Sequence, residues 1–268
     1  MILALDAGNT NICVGCIDEN GPLMTARVAT DRMKTEDEYA VILGSILQMN
    51  RIRPEEITGA IISSVVPPIN RMLMLAAEMV IGKTPILIRP GIRTGLKLMV
   101  DNPDALGSDR IVDTVAAYHL YGKAAGKTAI VVDMGTMTTL SVVSKNQEFL
   151  GGIICPGIRI SQRALAQNTS QLPSISLEAP AHAIGKNTVE CMKSGAIFAT
   201  AATVDGLIRR ISRELGEDEP PLVILTGGMS KRIAPYCREK VIVDSDLLLK
   251  GLWILYQKNA PAKRRQER

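Results

Sequence analysis

Two short segments of the chain share one pattern, and this repetition constrains the fold more than any other feature. Residues 1–18, MILALDAGNTNICVGCID, contain an apolar run, an aspartate, a glycine turn bearing a threonine, and a second apolar run. Residues 128–144, TAIVVDMGTMTTLSVVS, repeat that order, and Asp133 follows Asp6 by 127 residues. Apolar, β-branched runs on either side of a glycine turn are typical of a β-hairpin. The pattern therefore predicts a duplicated domain, with one hairpin opening each half.

The stretches that follow each hairpin alternate between helical and extended patterns, which predicts an α/β fold. In the helix predicted over residues 69–82, Met72, Met74 and Met79 are interpreted as core residues. Apolar residues recur at helical spacing in residues 36–50, 69–82, 109–122, 156–169 and 187–215. Strand-like runs occupy residues 57–67, 84–90 and 219–228.

Composition and charge argue against several classes of protein. Lys and Arg outnumber Asp and Glu by 31 to 27, so the net charge of +4 is far below a nucleic-acid-binding footprint. Only 3% of the residues are aromatic, too few for base-stacking platforms. No apolar stretch approaches the length of a membrane helix, and the basic cluster at residues 262–268 is interpreted as a solvated tail. We expect neither a nucleic-acid nor a membrane partner.

The five cysteines favour a reducing compartment, because they are widely spread and odd in number. No signal-like segment stands at the start of the sequence, so we expect a cytoplasmic protein. Cys13 and Cys16 form a CxxC, but on a predicted strand residues three apart point to opposite faces. A redox CxxC would open a helix, and a zinc site would need further ligands. Both thiols are interpreted as structural.

The aspartate of each hairpin needs compensation, because a carboxylate at the end of an apolar strand is costly. If the hairpins face one another, Asp6 and Asp133 converge on one cleft and a cation can compensate both. Carboxylates beside N–H and O–H donors suit a magnesium-bound polyphosphate. The alternative is that both aspartates only cap turns, but two matched hairpins and the TGG at residues 226–228 favour a ligand site. The surrounding donors are Asn9, Thr10, Asn11, Thr136, Thr138 and Thr139.

Residues 107–110, GSDR, open a predicted helix and allow two interpretations. Ser108 or Asp109 could simply cap the helix by accepting backbone N–H groups. Alternatively, Asp109 could orient a substrate hydroxyl and take its proton, while the adjacent Arg110 keeps the carboxylate ionised. Taken alone, these residues favour the cap.

The chain also resembles a known kinase family along nearly its whole length. DAGNT, DMGTMTT and TGG resemble the first phosphate, second phosphate and adenosine motifs of the acetate kinase, sugar kinase, Hsp70 and actin superfamily. DNPDALGSDRIVD, GGIICPGIRIS and GKNTVECMKSG are similar to segments of type III pantothenate kinases. The resemblance implies two ribonuclease H-like domains of duplicated topology that face each other across a nucleotide cleft. It assigns them to residues 1–115 and 116–247, with a dimerisation helix in the second and a C-terminal helix, about 248–260, packing on the first.

The same resemblance implies a nucleotide and two cations. Asp6 directs magnesium, and Asp133 is associated with a monovalent cation, either potassium or ammonium. The implied ATP contacts are Asp6, Ala7, Gly8, Asn9, Thr10, Asn11, Ile12, Cys13, Thr136, Gly227 and Gly228.

The resemblance further implies a reaction, the ATP-dependent phosphorylation of pantothenate to 4'-phosphopantothenate, which is the first step of coenzyme A biosynthesis. Asp109 is then the proton acceptor, and Arg110 suits the carboxylate or amide of pantothenate. Thr188 resembles a threonine that contacts the substrate across the interface of a homodimer. The implied substrate contacts are Val100, Gly107, Ser108, Asp109, Arg110 and Thr188.

Two positions depart from the family pattern. Met137 stands where alanine is usual and could either point into the core or narrow the nucleotide site, and Val100 stands where many members have tyrosine. Two other functions stay open: a non-catalytic regulator of the accessory transcription-factor type, or a kinase of the same superfamily for another small hydroxy acid or sugar. The presence of Asp6, Asp109 and Asp133 together favours the enzyme.

Overall fold

A computed structural model of the chain describes residues 1–260, and the basic cluster at 262–268 lies outside these described residues. No helix within them combines the length and apolar character that crossing a bilayer requires. The strands are β1 (Ile2–Ala7), β2 (Asn11–Asp18), β3 (Gly21–Ala29), β4 (Ala60–Ser64), β5 (Ile86–Leu87), β6 (Lys97–Leu98), β7 (Ala129–Met134), β8 (Met137–Val143), β9 (Glu148–Pro156), β10 (Leu222–Thr226) and β11 (Ile242–Val243).

Helices connect these strands, and two of the connections contain π-helical segments, Tyr118–Gly122 and Gly195–Ala199. The second segment joins two helices into the long helical run expected over residues 187–215. The α-helices are α1 (Glu36–Met49), α2 (Asn70–Ile81), α3 (Ser108–Ala117), α4 (Lys123–Ala125), α5 (Ile158–Asn168), α6 (Thr188–Ser194), α7 (Thr200–Leu215), α8 (Ser230–Ile233) and α9 (Leu247–Asn259).

The two sheets repeat one strand order, which confirms the predicted duplication. The first sheet has the order β3-β2-β1-β4-β5 and the second has β11-β10-β7-β8-β9-β6. In the opposite direction the second sheet runs β9-β8-β7-β10-β11, the same succession, with β6 added beside β9. Each sheet combines a three-stranded antiparallel meander with two parallel strands. Both halves therefore have the ribonuclease H-like α/β topology.

The hairpins also match in backbone detail. The pairing of β2 with β3 shifts register between Cys16 and Ile17, and the pairing of β8 with β9 shifts register between Val142 and Val143. Across each hairpin, Cys16 and Val142 pair with the residue that stands three positions before the aspartate, so the shift occurs at the same place in both halves. Because a β-bulge locally changes strand twist, its repetition shows that the halves share strand geometry as well as strand order.

Contacts divide the chain into two units. The first comprises Met1–Leu96, Asp101–Ala116 and the C-terminal segment from Leu248, which includes nearly all of α9. The second comprises Lys97–Val100 and Ala117–Leu247. The first hairpin and the GSDR segment thus belong to one unit, and the second hairpin and the TGG segment belong to the other.

In the first unit, apolar side chains are buried on both faces of the sheet. Leu3 and Leu5 of β1 face a cluster that includes α1 and α2, whereas Ile2 and Ala4 face a cluster that includes α3 and α9. This alternation is the period-two pattern of a strand buried on both sides. Asp6 follows Ile2 and Ala4 at the same two-residue spacing, so its side chain lies on the sheet face that carries α3 and α9.

The second unit places its aspartate in the same way. Ile130 and Val132 of β7 face a cluster that includes α5, α7 and α8. Asp133, one residue further, therefore lies on the opposite face of the sheet. In both units the aspartate is the penultimate residue of the first strand, and its side chain lies on the face away from the larger core cluster.

Side-chain burial corrects one prediction and confirms another. Met72 and Met74 pack against the first core cluster, but Met79 is 57% exposed, so its assignment to the core was wrong. The buried face of α2 is set by other positions at helical spacing, and Met79 falls outside it. Cys13 and Cys16 contact clusters on opposite faces of the first sheet, as their spacing predicted.

Candidate functional site

The turn between β1 and β2 presents backbone and polar groups at the end of the first sheet. The Gly8 N–H donates to the Asn11 carbonyl at 3.0 Å, which closes the turn. Thr30, just after β3, braces it: its hydroxyl donates to the Gly8 carbonyl at 2.6 Å, and its N–H donates to the Thr10 carbonyl at 3.0 Å. Asn9, Thr10 and Asn11 are exposed there. The turn is therefore held rigidly while its polar side chains stay accessible.

The other residues predicted to bind ATP in this hairpin have different surroundings. Ala7 and Ile12 are buried in the larger core cluster, so they can reach a ligand only through backbone groups. Asp6 and Cys13 are partly buried and lie opposite one another in the β1–β2 ladder, on the other face. On its other side, Asp6 lies opposite Ser63 of β4. One row across the sheet thus carries a thiol, a carboxylate and a hydroxyl.

Ser108, the first residue of α3, is hydrogen-bonded to the end of β4. Its hydroxyl oxygen lies 3.0 Å from the Ser63 hydroxyl oxygen and accepts the Ser64 N–H at 3.0 Å. The Ser108 hydroxyl also donates to the Ser64 carbonyl at 3.0 Å. Ser63 is fully buried and Ser108 nearly so. These bonds attach the start of α3 to the strand beside Asp6. The prediction from sequence missed both β4 serines, although a polar pair inside the apolar run IISSVV was the available signal.

The carboxylate of Asp109 is partly buried next to this attachment. One of its oxygens accepts the Arg110 N–H at 2.7 Å. Burial raises the pKa of Asp109, and the contacts with Arg110, which oppose that rise, are the smaller effect. Burial likewise lowers the pKa of Arg110, with Asp109 acting in the opposite direction. The site therefore holds a carboxylate that is a stronger base than an exposed aspartate.

The absence of a side chain at Gly107 leaves space for the Asp109 carboxylate. A Cβ at position 107 would lie 2.6 Å from an Asp109 carboxylate oxygen, closer than such atoms approach one another. A larger residue would displace the carboxylate or the start of α3. The four residues of GSDR thus form one local structure in the first unit, together with β4 and Asp6.

In the second unit, Asp133 lies between two hydroxyl residues. It is opposite Thr139 in the β7–β8 ladder and opposite Thr226 in the β7–β10 ladder. The position of Thr226 beside Asp133 repeats that of Ser63 beside Asp6. Each aspartate of the duplicated fold therefore has a hydroxyl residue on the neighbouring parallel strand.

The glycine turn after β10 closes against Asp133. Gly227 has a φ of +84°, a conformation that favours glycine, and a Cβ there would collide with the Asp133 carboxylate and the Met134 backbone. Its carbonyl accepts the Ser230 hydroxyl at 2.8 Å, and Gly228 next to it is exposed. The second hairpin and the TGG segment therefore meet, as one ligand site would require.

The turn of the second hairpin also answers the question about Met137. Thr136 and Met137 are both exposed, and the Met137 side chain does not enter the core. Of the two possibilities for Met137, the structure excludes burial in the core. Its side chain lies on the surface of the turn beside Thr136.

Two residues predicted to contact the substrate, Val100 and Thr188, belong to the second unit, whereas GSDR belongs to the first. Val100 is partly buried just after β6, and Thr188 is exposed at the start of α6. Asn187 caps this helix by accepting the Glu190 N–H at 2.9 Å. Thr188 lines a cavity of about 660 Å³ between α5 and the α6–α7 helices, whose wall is mainly apolar and contains no charged side chain. The exposed Thr188 hydroxyl is available to another molecule.

The donor chemistry of the two turns fits the expected cations. No three His, Cys, Asp or Glu side chains cluster as metal ligands among residues 1–260. Each turn instead offers one carboxylate beside neutral oxygen atoms. Magnesium often takes only one or two carboxylates and completes its shell with water and phosphate, so Asp6 suits it. A monovalent cation at Asp133 is compatible with the neighbouring threonine and carbonyl oxygens. The convergence of Asp6 and Asp133 on one cleft stays a prediction.

Comparison with solved structures shows the same fold in several proteins. A Campylobacter jejuni protein named as a Baf family transcriptional activator is 19% identical, with a TM-score of 0.55 over 96% of this chain and 98% of that one. A Sinorhizobium meliloti protein named as a 2-dehydro-3-deoxygalactonokinase is 12% identical, with a TM-score of 0.60 over 97% and 100%. The (R)-2-hydroxyglutaryl-CoA dehydratase component A of Acidaminococcus fermentans is 12% identical, with a TM-score of 0.54 over 97% and 99%. Identities this low show a shared fold alone.

The family comparison is more specific. The model of the type III pantothenate kinase family matches residues 2–210, well over half of the chain. The match includes both hairpins, the GSDR segment and Thr188, whereas the TGG segment lies beyond it. The kinase resemblance of the motifs is thereby confirmed, and the chain belongs to the type III pantothenate kinase family.

Proposed function

We propose that the chain transfers the γ-phosphoryl group of ATP to the primary hydroxyl of pantothenate, which gives ADP and 4'-phosphopantothenate. The observation that carries this proposal is the setting of Asp109. Its carboxylate is partly buried and has a raised pKa, and Asp109 lies in the first turn of a helix that is hydrogen-bonded to the strand beside Asp6. A base held next to the first phosphate motif is what a hydroxyl acceptor needs.

In this reaction the hydroxyl oxygen of pantothenate bonds to the γ-phosphorus as the bond to the β–γ bridging oxygen breaks. Asp109 accepts a hydrogen bond from the hydroxyl, orients it, and takes its proton late in the transfer. Arg110, which stays cationic at neutral pH, binds the carboxylate or amide of pantothenate. Gly107 and Ser108 keep the base in place.

The first turn binds the phosphates through the backbone of residues 7–13 and the polar side chains of Asn9, Thr10 and Asn11. Asp6 would hold magnesium, and Asp133 would hold the monovalent cation. When bound, such cations neutralise charge on the phosphate oxygens. Thr136, Gly227 and Gly228 contact the nucleotide from the second unit, and Met137 borders that contact.

The proposed assembly is a homodimer in which Thr188 reaches the pantothenate bound by the other subunit. Support comes from exposed apolar side chains: Leu165, which lines the same cavity as Thr188, is 42% exposed, and Val189 and Ile184, close to Thr188 in the chain, are 41% and 84% exposed. Exposed apolar side chains around an apolar cavity are typical of a protein interface. Val100 contributes an apolar wall to the same substrate site.

A phosphorylation assay tests the proposal. The purified chain is incubated with ATP, magnesium, potassium and pantothenate, and the product is identified by ³¹P NMR and mass spectrometry. We expect 4'-phosphopantothenate, formed far more slowly by Asp109→Asn and at the wild-type rate by Asp104→Asn, whose carboxylate is exposed on the turn before α3. No phosphorylated product from a folded dimer would refute the proposal.

The same assay separates the two alternative functions. Including 2-dehydro-3-deoxygalactonate, the substrate named for the Sinorhizobium meliloti neighbour, tests for another kinase specificity. Phosphorylation of that sugar acid but not of pantothenate would favour a related kinase. ATP binding without transfer to any acceptor would favour the regulatory role suggested by the name of the Campylobacter jejuni neighbour.

A further inference from the structure

Ser63 lies at a junction between Asp6 and the segment that carries Asp109. In the β1–β4 ladder it is opposite Asp6, and its hydroxyl oxygen is 3.0 Å from that of Ser108, which precedes Asp109. Ser63 is 0% exposed, so it cannot contact a substrate directly. Any influence on the reaction must act through the residues it holds.

The hydrogen-bond donors at this junction can be assigned by counting protons. The Ser108 hydroxyl has one proton, which it donates to the Ser64 carbonyl. Its oxygen accepts the Ser64 N–H. While that proton is donated to the Ser64 carbonyl, the bond between the two hydroxyls, in which either oxygen could be the donor, is donated by Ser63 and accepted by Ser108. Ser108 is therefore held by three hydrogen bonds, all from the last two residues of β4.

We propose that Ser63 is a positioning residue for phosphoryl transfer: its hydroxyl holds Ser108, and thereby the Asp109 carboxylate, in place relative to Asp6. This inference rests on the proposed function. A small displacement of a catalytic group is costly, since about 1 Å can reduce the rate by roughly 100-fold. A fully buried hydroxyl that fixes the residue next to the base would prevent such displacement.

The duplicated fold supplies a conservative replacement. The position equivalent to Ser63 in the second unit is Thr226, which is also buried and lies opposite Asp133. This site of the ladder therefore accommodates a threonine in one half of the molecule. Ser63→Thr keeps the donor hydroxyl, whereas Ser63→Ala removes it.

The test compares these variants with Ser144→Ala in the second unit. Ser144 is buried and its side chain makes three hydrogen bonds, whereas that of Ser63 makes the one to Ser108, so Ser144→Ala measures the effect of removing a buried, hydrogen-bonded hydroxyl away from Asp109. For Ser63→Ala we expect kcat to fall by about tenfold, with KM for ATP unchanged. The acid limb of the pH profile should also shift, and Ser63→Thr should restore most of the rate. In an Asp109→Asn background, Ser63→Ala should cause no further loss.

A Ser63→Ala variant that loses thermal stability like Ser144→Ala, but keeps the wild-type kcat and pH profile, would overturn the inference. If Ser63→Ala does not fold, Ser63→Cys replaces it, because cysteine fills a similar volume but donates weakly. The same fall in kcat is then expected, and an unchanged kcat is again contradictory. A wild-type chain that does not phosphorylate pantothenate would refute the proposed function instead. The Ser63 inference would then be judged by ¹³C NMR titration of Asp109, which Ser63→Ala should shift and Ser144→Ala should not.

Discussion

Asp109 accepts the backbone N–H of Arg110, the next residue along α3, at 2.7 Å. This bond and the nearby guanidinium stabilise the charged carboxylate, yet burial outweighs them and the pKa of Asp109 is raised. The protein thus keeps a carboxylate where its ionised form is disfavoured. Such an arrangement costs stability and yields a stronger base, which is a common feature of catalytic sites.

Replacing Asp109 by asparagine should therefore separate activity from folding. Asparagine keeps the shape of the side chain and can still accept the Arg110 N–H, but it cannot take a proton. We expect kcat for pantothenate to fall by about 100-fold or more, with ATP binding unchanged. Steady-state kinetics and calorimetric titration with ATP measure the two effects. A rate within a few-fold of wild type would remove Asp109 from the role of proton acceptor.

The same variant should be more stable than wild type at neutral pH. The folded-state pKa of Asp109 lies above the unfolded value of about 4, so the folded chain binds more protons between these two values. Wild-type stability therefore falls relative to Asp109→Asn as the pH rises through that interval. The advantage of asparagine should be absent below the unfolded pKa and complete above the folded one. Urea unfolding of both proteins across this range measures it, and a constant difference would contradict the raised pKa.

The contact between Gly227 and Asp133 predicts a specific defect in the second unit. Gly227→Ala forces a side chain into a left-handed backbone and against the Asp133 carboxylate. Gly216→Ala is a matched control, because Gly216 has a φ of +60° with open space around its Cβ position. Backbone strain alone should cost each variant about 1 to 2 kcal/mol. We expect Gly227→Ala to lose additional stability and most activity, whereas Gly216→Ala keeps its kcat; equal behaviour would show that the Asp133 contact is unimportant.

Much of the fold could be predicted from sequence because its signals are local. The period-two runs around Asp6 and Asp133 define both hairpins, and helical spacing defines α1, α2 and α7. The run at residues 84–90 predicted β5, but the short strands β6 and β11 were not predicted, because two residues carry too little pattern. Met79 shows the same limit: its exposure depends on which face of α2 packs inward, and a count of apolar residues does not reveal that.

The candidate site was predictable to a different degree. The acidic turns and GSDR are contiguous motifs, so the sequence identifies them directly. The bonds between Ser63, Ser64 and Ser108 join residues 44 or 45 positions apart, and no local pattern connects such residues. The pairing of Asp133 with Thr226 is likewise visible only once the strand order is known.

Thr188→Val tests whether the substrate site is shared between subunits. Valine has nearly the shape of threonine, and Asn187 still caps α6, so the fold should be unaffected. Loss of one hydrogen bond of about 1 to 1.5 kcal/mol should raise KM for pantothenate by roughly tenfold, with kcat little changed. Kinetics over a range of pantothenate concentrations measure this change.

A mixed dimer then shows which subunit uses the threonine. In a heterodimer of one Thr188→Val subunit and one Asp109→Asn subunit, the intact Asp109 belongs to the subunit that lacks the threonine. If the threonine acts across the interface, that site receives Thr188 from its partner and has the wild-type KM. A raised KM in the heterodimer would place Thr188 in the site of its own subunit.

Exchange of potassium for sodium tests the cation predicted at Asp133. This carboxylate ends an apolar strand and lies opposite Thr139 and Thr226, a setting in which a bound cation offsets the cost of a partly buried charge. Selectivity between the two ions would follow from the size of the site and its oxygen ligands. We expect phosphorylation to slow several-fold in sodium, and Asp133→Asn to be slow in both salts, because without the carboxylate neither ion is held. Equal rates of the wild-type protein in potassium and sodium would count against a selective site, and Asp133→Asn that still responds to potassium would place the cation elsewhere.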